Sequence, residues 1–542
     1  MESSASLLPL ILVLAAPLLL LAVGLVPAAY ANARPRLMAR LNTGAAWLAF
    51  ICALLAALIY PFDGARSLTL FSIALPGDIG AFSIGTYLNS VTVVMLMLVS
   101  FVGAIVSRYS CNYLDGDPNQ GYFHKWLSLT LTAILALIVS SNLLMFLLAW
   151  IATSLCLHQL LMFYSERRAA VLSAHKKFVA SRIGELSLLI AIFLIGSTLH
   201  TLEFEEIFHI METFDGPVPS ALHWAAVCVV ISAALKSAQF PFHGWLIQVM
   251  EAPTPVSALL HAGIVNAGAF LVIRMSAIMS HSATAMSLLA VIGLVTLALA
   301  SLVMLTQTSI KVSLAWSTTA QMGFMLLECG LGLYSLAMLH LVAHSLYKAH
   351  AFLASGSGVD GFRAPAITFA SRGLQGGRLA IALLISASMA LGVGALFGVT
   401  VQQQPALIAA GTIVAIAMTQ LLMQAANLFS NTAFLLRALG LSAVVCVAYF
   451  TLHSVFEHTF TGSGVLPLRE SGGALQTVLI ALVIVTFFGM LMMQQALKNI
   501  RSARREAIYM HLYNGLYIDV FITRVLQRLW PAPLSTAKDY GG

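Results

Sequence analysis

Long apolar stretches alternate with short polar connectors along nearly the whole chain. Runs of spanning length fall near 7–29, 43–61, 88–107, 126–140, 142–164, 177–199, 221–240, 255–279, 285–306, 310–329, 331–355, 378–400, 405–427, 434–456 and 474–495. A helix needs about 20 apolar residues to cross a bilayer, so the pattern predicts an all-α polytopic membrane protein of about fifteen transmembrane helices. The polar connectors then test the count. Arg34, Arg36 and Arg40 follow the first run, and Arg108 and Lys125 follow the third. Arg167, Arg168, Lys176 and Lys177 follow the fifth, and Lys311 opens the tenth. Arg363, Arg372 and Arg378 follow the eleventh, Arg437 the thirteenth, and Lys498, Arg501, Arg504 and Arg505 the last. All of these fall on one side of the membrane. The intervening loops are poorer in Lys and Arg, and one carries Glu203, Glu205, Glu206, Glu212 and Asp215. Basic loops stay in the cytoplasm, which predicts an outside N-terminus and a cytoplasmic C-terminus.

After the last run, residues 504–530 mix charges with Tyr509, Leu512, Tyr513, Leu516, Tyr517, Phe521 and Leu526. Spacings of three and four predict an amphipathic helix on the cytoplasmic interface or against a partner. The chain divides into N-terminal helices (1–125), two central blocks (126–279 and 280–430) and a C-terminal block with the amphipathic segment (431–542). Composition fits a membrane protein: 60% of the 542 residues are hydrophobic and 9% charged. A net charge of +7 then reflects cytoplasmic loops rather than nucleic-acid binding. Cys52, Cys111, Cys156, Cys228, Cys329 and Cys446 are scattered, mostly in apolar runs, without the spacing of a zinc site or a disulfide framework. Leu7 to Val26 lacks a basic leader, so it is expected to be the first span rather than a cleaved signal.

The candidate chemistry lies where charge enters the apolar runs. Lys236 ends the uncharged stretch from Ala221, and an ionisable group in hydrocarbon costs a few kcal/mol, roughly, so such groups mark ion or proton pathways. Pro241, Pro253 and Pro255 follow, each removing a backbone donor, with His243 beside the first. Broken helices at membrane depth line cavities or are buried in protein, and His261 lies six residues beyond Pro255. Arg182 and Glu185 are three apart on one helical face. The bland reading is a static ion pair. Beside a buried lysine the carboxylate gains a second role, holding the lysine protonated when near and releasing its proton on swinging away. His340, His344 and Lys348 recur every four residues along one stripe, and histidine titrates near physiological pH, so the stripe is expected to be a proton relay. A metal site is not expected there, because no carboxylate or cysteine accompanies the histidine pair in the sequence. His158, His243 and Lys311 are weaker relay candidates.

Together these residues resemble the antiporter-like proton-conducting subunits of respiratory complex I, in its chain-L branch, and those of Mrp-type multi-subunit cation/proton antiporters. The markers are Lys236-Ser-Ala-Gln, Pro253-Thr-Pro-Val-Ser-Ala-Leu-Leu-His261, Ser309-Ile-Lys311, Ala315-Trp-Ser-Thr318 and the His340, His344, Lys348 series. The resemblance covers residues 120–360 well and the rest loosely. It implies two inverted five-helix repeats with discontinuous helices, a central Lys236 modulated by Arg182 and Glu185, and His261 linking it to the stripe. Two departures stand out. The family's fifth span carries a Trp-Glu pair, where this chain reads Trp150-Ile151, so Glu185 is expected to be the main partner of Lys236. The family's twelfth span carries a buried lysine or glutamate, where Ile381 to Val401 holds no charge.

A shortened relative with these features is most similar to the DabB branch, the membrane subunits of DAB-type inorganic carbon transporters. That resemblance implies a bacterial inner membrane, proton-driven carbon accumulation and a zinc-containing, carbonic-anhydrase-like DabA partner. No cofactor is expected in this chain, and no catalytic constellation for CO2 hydration is present, so catalysis is expected in the partner. Two other classes suit the same residues: a proton-pumping or antiporter subunit of a complex I-like, hydrogenase or Mrp-type assembly, and a non-conducting scaffold.

Overall fold

The computed structural model describes residues 7–214, 216–357, 376–398, 405–428, 432–460, 465, 473–499 and 503–530. Helix α1 (Leu8–Gly24), the short α2 (Ala28–Ala33) and α3 (Pro35–Asp63) open the chain. Strands β1 (Arg66–Ala74) and β2 (Ala81–Leu88) form one antiparallel hairpin. Then come α4 (Ser90–Tyr113), α5 (Gln120–Val139), α6 (Leu143–Leu161), α7 (Arg168–Leu199), α8 (Phe204–Glu212) and α9 (Ser220–Lys236). The middle is broken into α10 (Gly244–Gln248), α11 (Thr254–Ala262), α12 (Ala267–Arg274) and α13 (Ser276–Met279). Long helices resume with α14 (Ala283–Met304), α15 (Ile310–Gly330), α16 (Tyr334–Leu353), α17 (Gly376–Leu396), α18 (Ala406–Leu428), α19 (Thr432–Phe460) and α20 (Ala474–Asn499). Two amphipathic helices, α21 (Ala503–Tyr513) and α22 (Ile518–Leu529), close the described chain.

The architecture is that of an all-α polytopic membrane protein. Fourteen of the fifteen apolar runs each fall on one helix and the eighth is divided among α11, α12 and α13, and eleven helical stretches among the described residues are long and apolar enough to cross a bilayer. The helix α14 pairs with α15 through glycine, since a Cβ on Gly293 would stand 2.5 Å from the Gly323 carbonyl oxygen. Small residues let helix backbones approach this closely. The stretch from α11 to α12 is wholly buried and packs against α4, α9, α15 and α16.

Three expectations need correction. First, the chain is not helical throughout, because the β1–β2 hairpin interrupts the helices. Strand β1 is mostly exposed and β2 mostly buried, and the turn depends on Gly77, Asp78 and Gly80 at positive φ. It binds the acidic loop: Ser67 donates to Glu205, Ser83 donates to Glu203, and Asn142 Nδ2 reaches Glu203 at 3.0 Å. Second, the prolines do not break the eighth run. Pro255 sits in the first turn of α11, where its missing N–H costs nothing, and the break falls at Gly263–Asn266, just past His261. Third, α7 begins at Arg168, nine residues before the predicted start, so Lys176 and Lys177 lie inside a helix and are buried rather than looped.

The C-terminal amphipathic segment is split as well. Gly515, Leu516 and Tyr517 all have positive φ, and the turn separates α21 from α22. Helix α22 then folds back on its own chain. Asp519 takes two 2.8 Å hydrogen bonds from Lys176 Nζ of α7 and one of 2.9 Å from Gln248 of α10, while Trp530 stacks on His175 at 4.2 Å. An apolar cavity of about 670 Å³ lies between α22 and α7, and its two charged groups neutralise each other.

Candidate proton-transfer site

The site assembles around two helix interruptions. Helix α9 stops at Lys236, because Ser237 to His243 run as a turn containing Pro241. Helix α11 stops one residue after His261, and a single 3-10 turn at Ile264–Asn266 precedes α12. These breaks join the two neighbouring sets of side chains. Ser237 donates to the Val265 carbonyl at 2.9 Å, and Asn266 donates to Ser345 of α16 at 2.7 Å.

The first set surrounds Lys236, which is 8% exposed. Its ammonium stands 4.4 Å from the centroid of the Trp150 ring and makes no hydrogen bond to a protein group. A cation over an indole face is stabilised by about 2 kcal/mol when desolvated, so Trp150 supports the charge that an adjacent carboxylate would otherwise hold. Arg182 and Glu185 form the expected pair, with Nη2 donating to Oε1 at 2.7 Å. Glu185 therefore hydrogen bonds to the arginine, while Lys236 and Lys177 act on it only through their charge.

Lys177 is the residue that the reading by position missed. Its Nζ donates to the Ser154 carbonyl at 2.6 Å and to the Ser154 hydroxyl at 2.8 Å, and Arg182 Nη2 reaches that hydroxyl at 3.3 Å. Three cations, Lys177, Arg182 and Lys236, thus share the single carboxylate of Glu185. Arginine keeps its proton under all ordinary conditions, so any proton this cluster releases comes from a lysine. His158 lies against Phe178 at 5.6 Å and within electrostatic reach of Lys177, with Nδ1 unbonded.

The second set is on α11 and α16. His261 is fully buried, stacks on Phe352 at 4.4 Å, and has neither ring nitrogen hydrogen bonded to protein. It lies within electrostatic reach of Lys348 and His344. His344 likewise has both nitrogens unbonded, and its ring centroid is 6.3 Å from that of His340. Lys348 Nζ donates to the Leu314 carbonyl at 3.0 Å and to the Ser317 hydroxyl. Burying such groups without protein partners is costly, so they call for mobile partners such as water or a passing proton.

The expectation that no carboxylate accompanies the histidine pair fails: Glu328 of α15 lies 2.8 Å from His340 Nδ1. No signal at helical spacing could have shown it, because the eleven intervening residues include the turn between two helices. No group of three His, Cys, Asp or Glu side chains suited to a metal forms among the described residues. Two candidates fall outside both sets. His243 is sandwiched by Phe240 at 3.9 Å and Trp316 at 5.0 Å, and Lys311 donates to Thr254 at 3.2 Å in the first turn of α15.

Discontinuous helices carrying buried lysines and histidines define an antiporter-like membrane transport subunit. Residues 140–396 match the family model described as "NADH:quinone oxidoreductase/Mrp antiporter, TM", and residues 77–124 match "NADH-Ubiquinone oxidoreductase (complex I), chain 5 N-terminus". The chain is 43% identical over 97% of its length, and 95% of the relative's, to the probable inorganic carbon transporter subunit DabB2 of Halothiobacillus neapolitanus. It is 37% identical, over 82% of its length and 83% of the relative's, to the probable inorganic carbon transporter subunit DabB of Hydrogenovibrio crunogenus. Among solved structures, the Mrp complex from Dietzia sp. contains a chain that superposes with a TM-score of 0.59 at 22% identity, covering 96% of this chain and 61% of that one. The chain belongs to the DabB family of inorganic carbon transporter subunits.

Proposed function

We propose that this chain is the proton-conducting membrane subunit of an energy-coupled inorganic carbon accumulation complex. In this reading it sits in a bacterial inner membrane with its N-terminus outside and its C-terminus in the cytoplasm. Two inverted five-helix repeats, from α5 to α12 and from α14 to α18, carry one half of the relay each. Its partner is a zinc-containing, carbonic-anhydrase-like DabA protein, which performs CO2 hydration while this chain supplies protons. The observation that carries the reading is the row of buried nitrogens of Lys236, His261 and His344, none hydrogen bonded to protein, set around two helix breaks. Lys236 takes up and releases the proton, with Lys177 as a competing cation and Glu185 and Arg182 setting the local charge. His261 passes it across the α11–α12 break to Lys348 and His344.

The energy is adequate. One charge crossing 100 mV is worth about 2.3 kcal/mol, roughly a 50-fold bias in a coupled equilibrium. Co-expressed with a zinc-dependent partner, the chain should rescue growth in air of a host lacking carbonic anhydrase, and an uncoupler should collapse the accumulated carbon. The chain alone should do neither. Rescue by the partner without this chain, or accumulation that persists with the uncoupler, would exclude the carbon-pump mechanism and favour a redox, antiporter or scaffold role.

A further inference from the structure

Two carboxylates are buried among the described residues, Glu185 and Glu328, and the proposed relay uses only the first. Glu328 sits in the last turn of α15 and is 4% exposed. Its Oε2 is 2.8 Å from His340 Nδ1, and the other ring nitrogen, Nε2, is 2.6 Å from Gln321 Oε1. Phe324 closes one side of the imidazole edge-on at 4.9 Å, and Tyr449 of α19 lies within electrostatic reach of the carboxyl group.

The hydrogen-bond inventory of this triad ties its proton count to the orientation of the Gln321 amide. An amide oxygen can only accept, so with Gln321 turned as it is, His340 Nε2 must carry hydrogen. The contact between Nδ1 and Oε2 then needs a proton of its own. That proton sits on Nδ1, giving an imidazolium against a carboxylate, or on Oε2, giving a neutral imidazole against a carboxylic acid. In both cases the pair holds one proton beyond neutral histidine with ionised glutamate. Turning the Gln321 amide over would present its NH2 to Nε2, make Nε2 an acceptor, and let an Nδ1–H face the carboxylate with one proton fewer. The two amide orientations therefore differ by one proton on the pair.

An outlet adjoins the triad. Gln321 also lines a cavity of about 250 Å³, bounded by Ser301 of α14, Gln420 of α18 and the apolar side chains of Phe324 and Phe487. A volume of that size holds several waters at about 30 Å³ each, and three polar side chains line it. Meanwhile α17 carries no titratable group beyond Arg378, so it supplies no proton acceptor for this half of the protein.

We propose that Glu328 and His340 form a shared-proton site at the far end of the relay, loaded from His344 and emptied past Gln321 into this cavity. Within the pair the Nδ1–H bond breaks as the Oε2–H bond forms; in emptying, the proton returns to Nδ1 while the Nε2–H bond breaks and its proton passes to a water of the cavity as the Gln321 amide turns over. The direction of transport rests on the proposed function, whereas the proton sharing does not.

Both parts can be measured separately. Infrared difference spectra of the intact chain across a pH jump should show a protonated-carboxyl band that Glu328→Gln removes and that Glu185→Gln and Glu203→Gln leave in place. His340→Asn should shift that band, which provides a second variant should Glu328→Gln fail to fold. Glu328→Gln in the assembled complex, reconstituted in proteoliposomes at matched abundance, should slow proton flux by about 100-fold, and Glu328→Asp should keep part of it. A spectrum without a band sensitive to Glu328→Gln and His340→Asn would show a permanent ion pair and overturn the proposal, as would unchanged flux in Glu328→Gln. If the band behaves as expected but the wild-type complex moves no protons, the shared-proton site stands and the transport reading falls.

Discussion

Arg274 and Lys236 are both cations buried in the apolar interior, and their surroundings are opposites. Arg274 ends α12 with both terminal nitrogens bonded: Nη1 to Asn89 at 3.1 Å and Thr92 at 3.0 Å, Nη2 to the carbonyls of Ile138 at 3.4 Å and Ser140 at 3.1 Å. The rings of Tyr87 and Phe204 cover its faces at 5.0 and 4.8 Å. Every one of these partners is fixed, and guanidinium does not give up its proton. The group is an anchor that ties α12 to α4 and to the end of α5. Lys236 ends α9 with no hydrogen bond, one aromatic face and a carboxylate already taken by Arg182. Burial alone therefore does not mark function. What marks it is a titratable group whose partners are few, shared or replaceable.

The sharpest test substitutes both with methionine, which preserves length and apolar packing. Arg274→Met should remove the four hydrogen bonds to Asn89, Thr92 and two carbonyls, cost about 3 kcal/mol or more, and lower the amount of protein in the membrane. Lys236→Met should leave abundance unchanged and abolish proton-dependent carbon accumulation. Equal losses of abundance in the two variants, measured by membrane blotting, would erase the distinction. A smaller effect is expected along α16. His340→Ala and His344→Ala should each reduce activity by about 100-fold, whereas His209→Ala on the exposed face of α8 should not; identical behaviour of all three would make the α16 stripe mere packing. The smallest change is expected at Trp150. Trp150→Leu removes the face beneath the Lys236 ammonium, a loss of about 1–2 kcal/mol, so flux should fall by about tenfold and not vanish. Unaltered flux would mean that Glu185, and not the indole, supports the lysine charge.

The helices were legible from hydropathy, because a segment that must satisfy its backbone in lipid has no choice but to be helical and about 20 residues long. Lys236, His261, His344 and Lys348 were legible for a related reason: charge in an apolar run is rare and expensive. Lys177 reads as a loop residue because charge density at the end of a span looks the same whether the residues precede the helix or form its first turns. The helix boundary, and with it the burial, depended on α7 packing against α6 and α9. Proline is the stronger sequence signal, so the break near His261 reads as lying at Pro255. Yet proline in a first turn is compatible with helix, and Gly263 was the true interruption. The hairpin escapes a reading by pattern because β1 is almost wholly exposed while the end of β2 is buried on both faces, so burial alternates clearly in neither strand.

What the sequence determined by itself is the set of apolar spans, the class of protein and the chemical identity of the groups that can carry protons. Those depend on composition and local period, which act through solvation and are the same wherever the segment packs. Only the tertiary structure decided which of the buried charges are satisfied. Arg274 and Lys236 read alike along the chain, and Glu328 and His340 are twelve residues and a turn apart. Whether a cation meets four fixed acceptors or a single indole face, and whether a carboxyl oxygen stands 2.8 Å from an imidazole, is set by how neighbouring helices are juxtaposed. Hydrogen bonds act over about 3 Å, so a local pattern that leaves helix packing open cannot specify them.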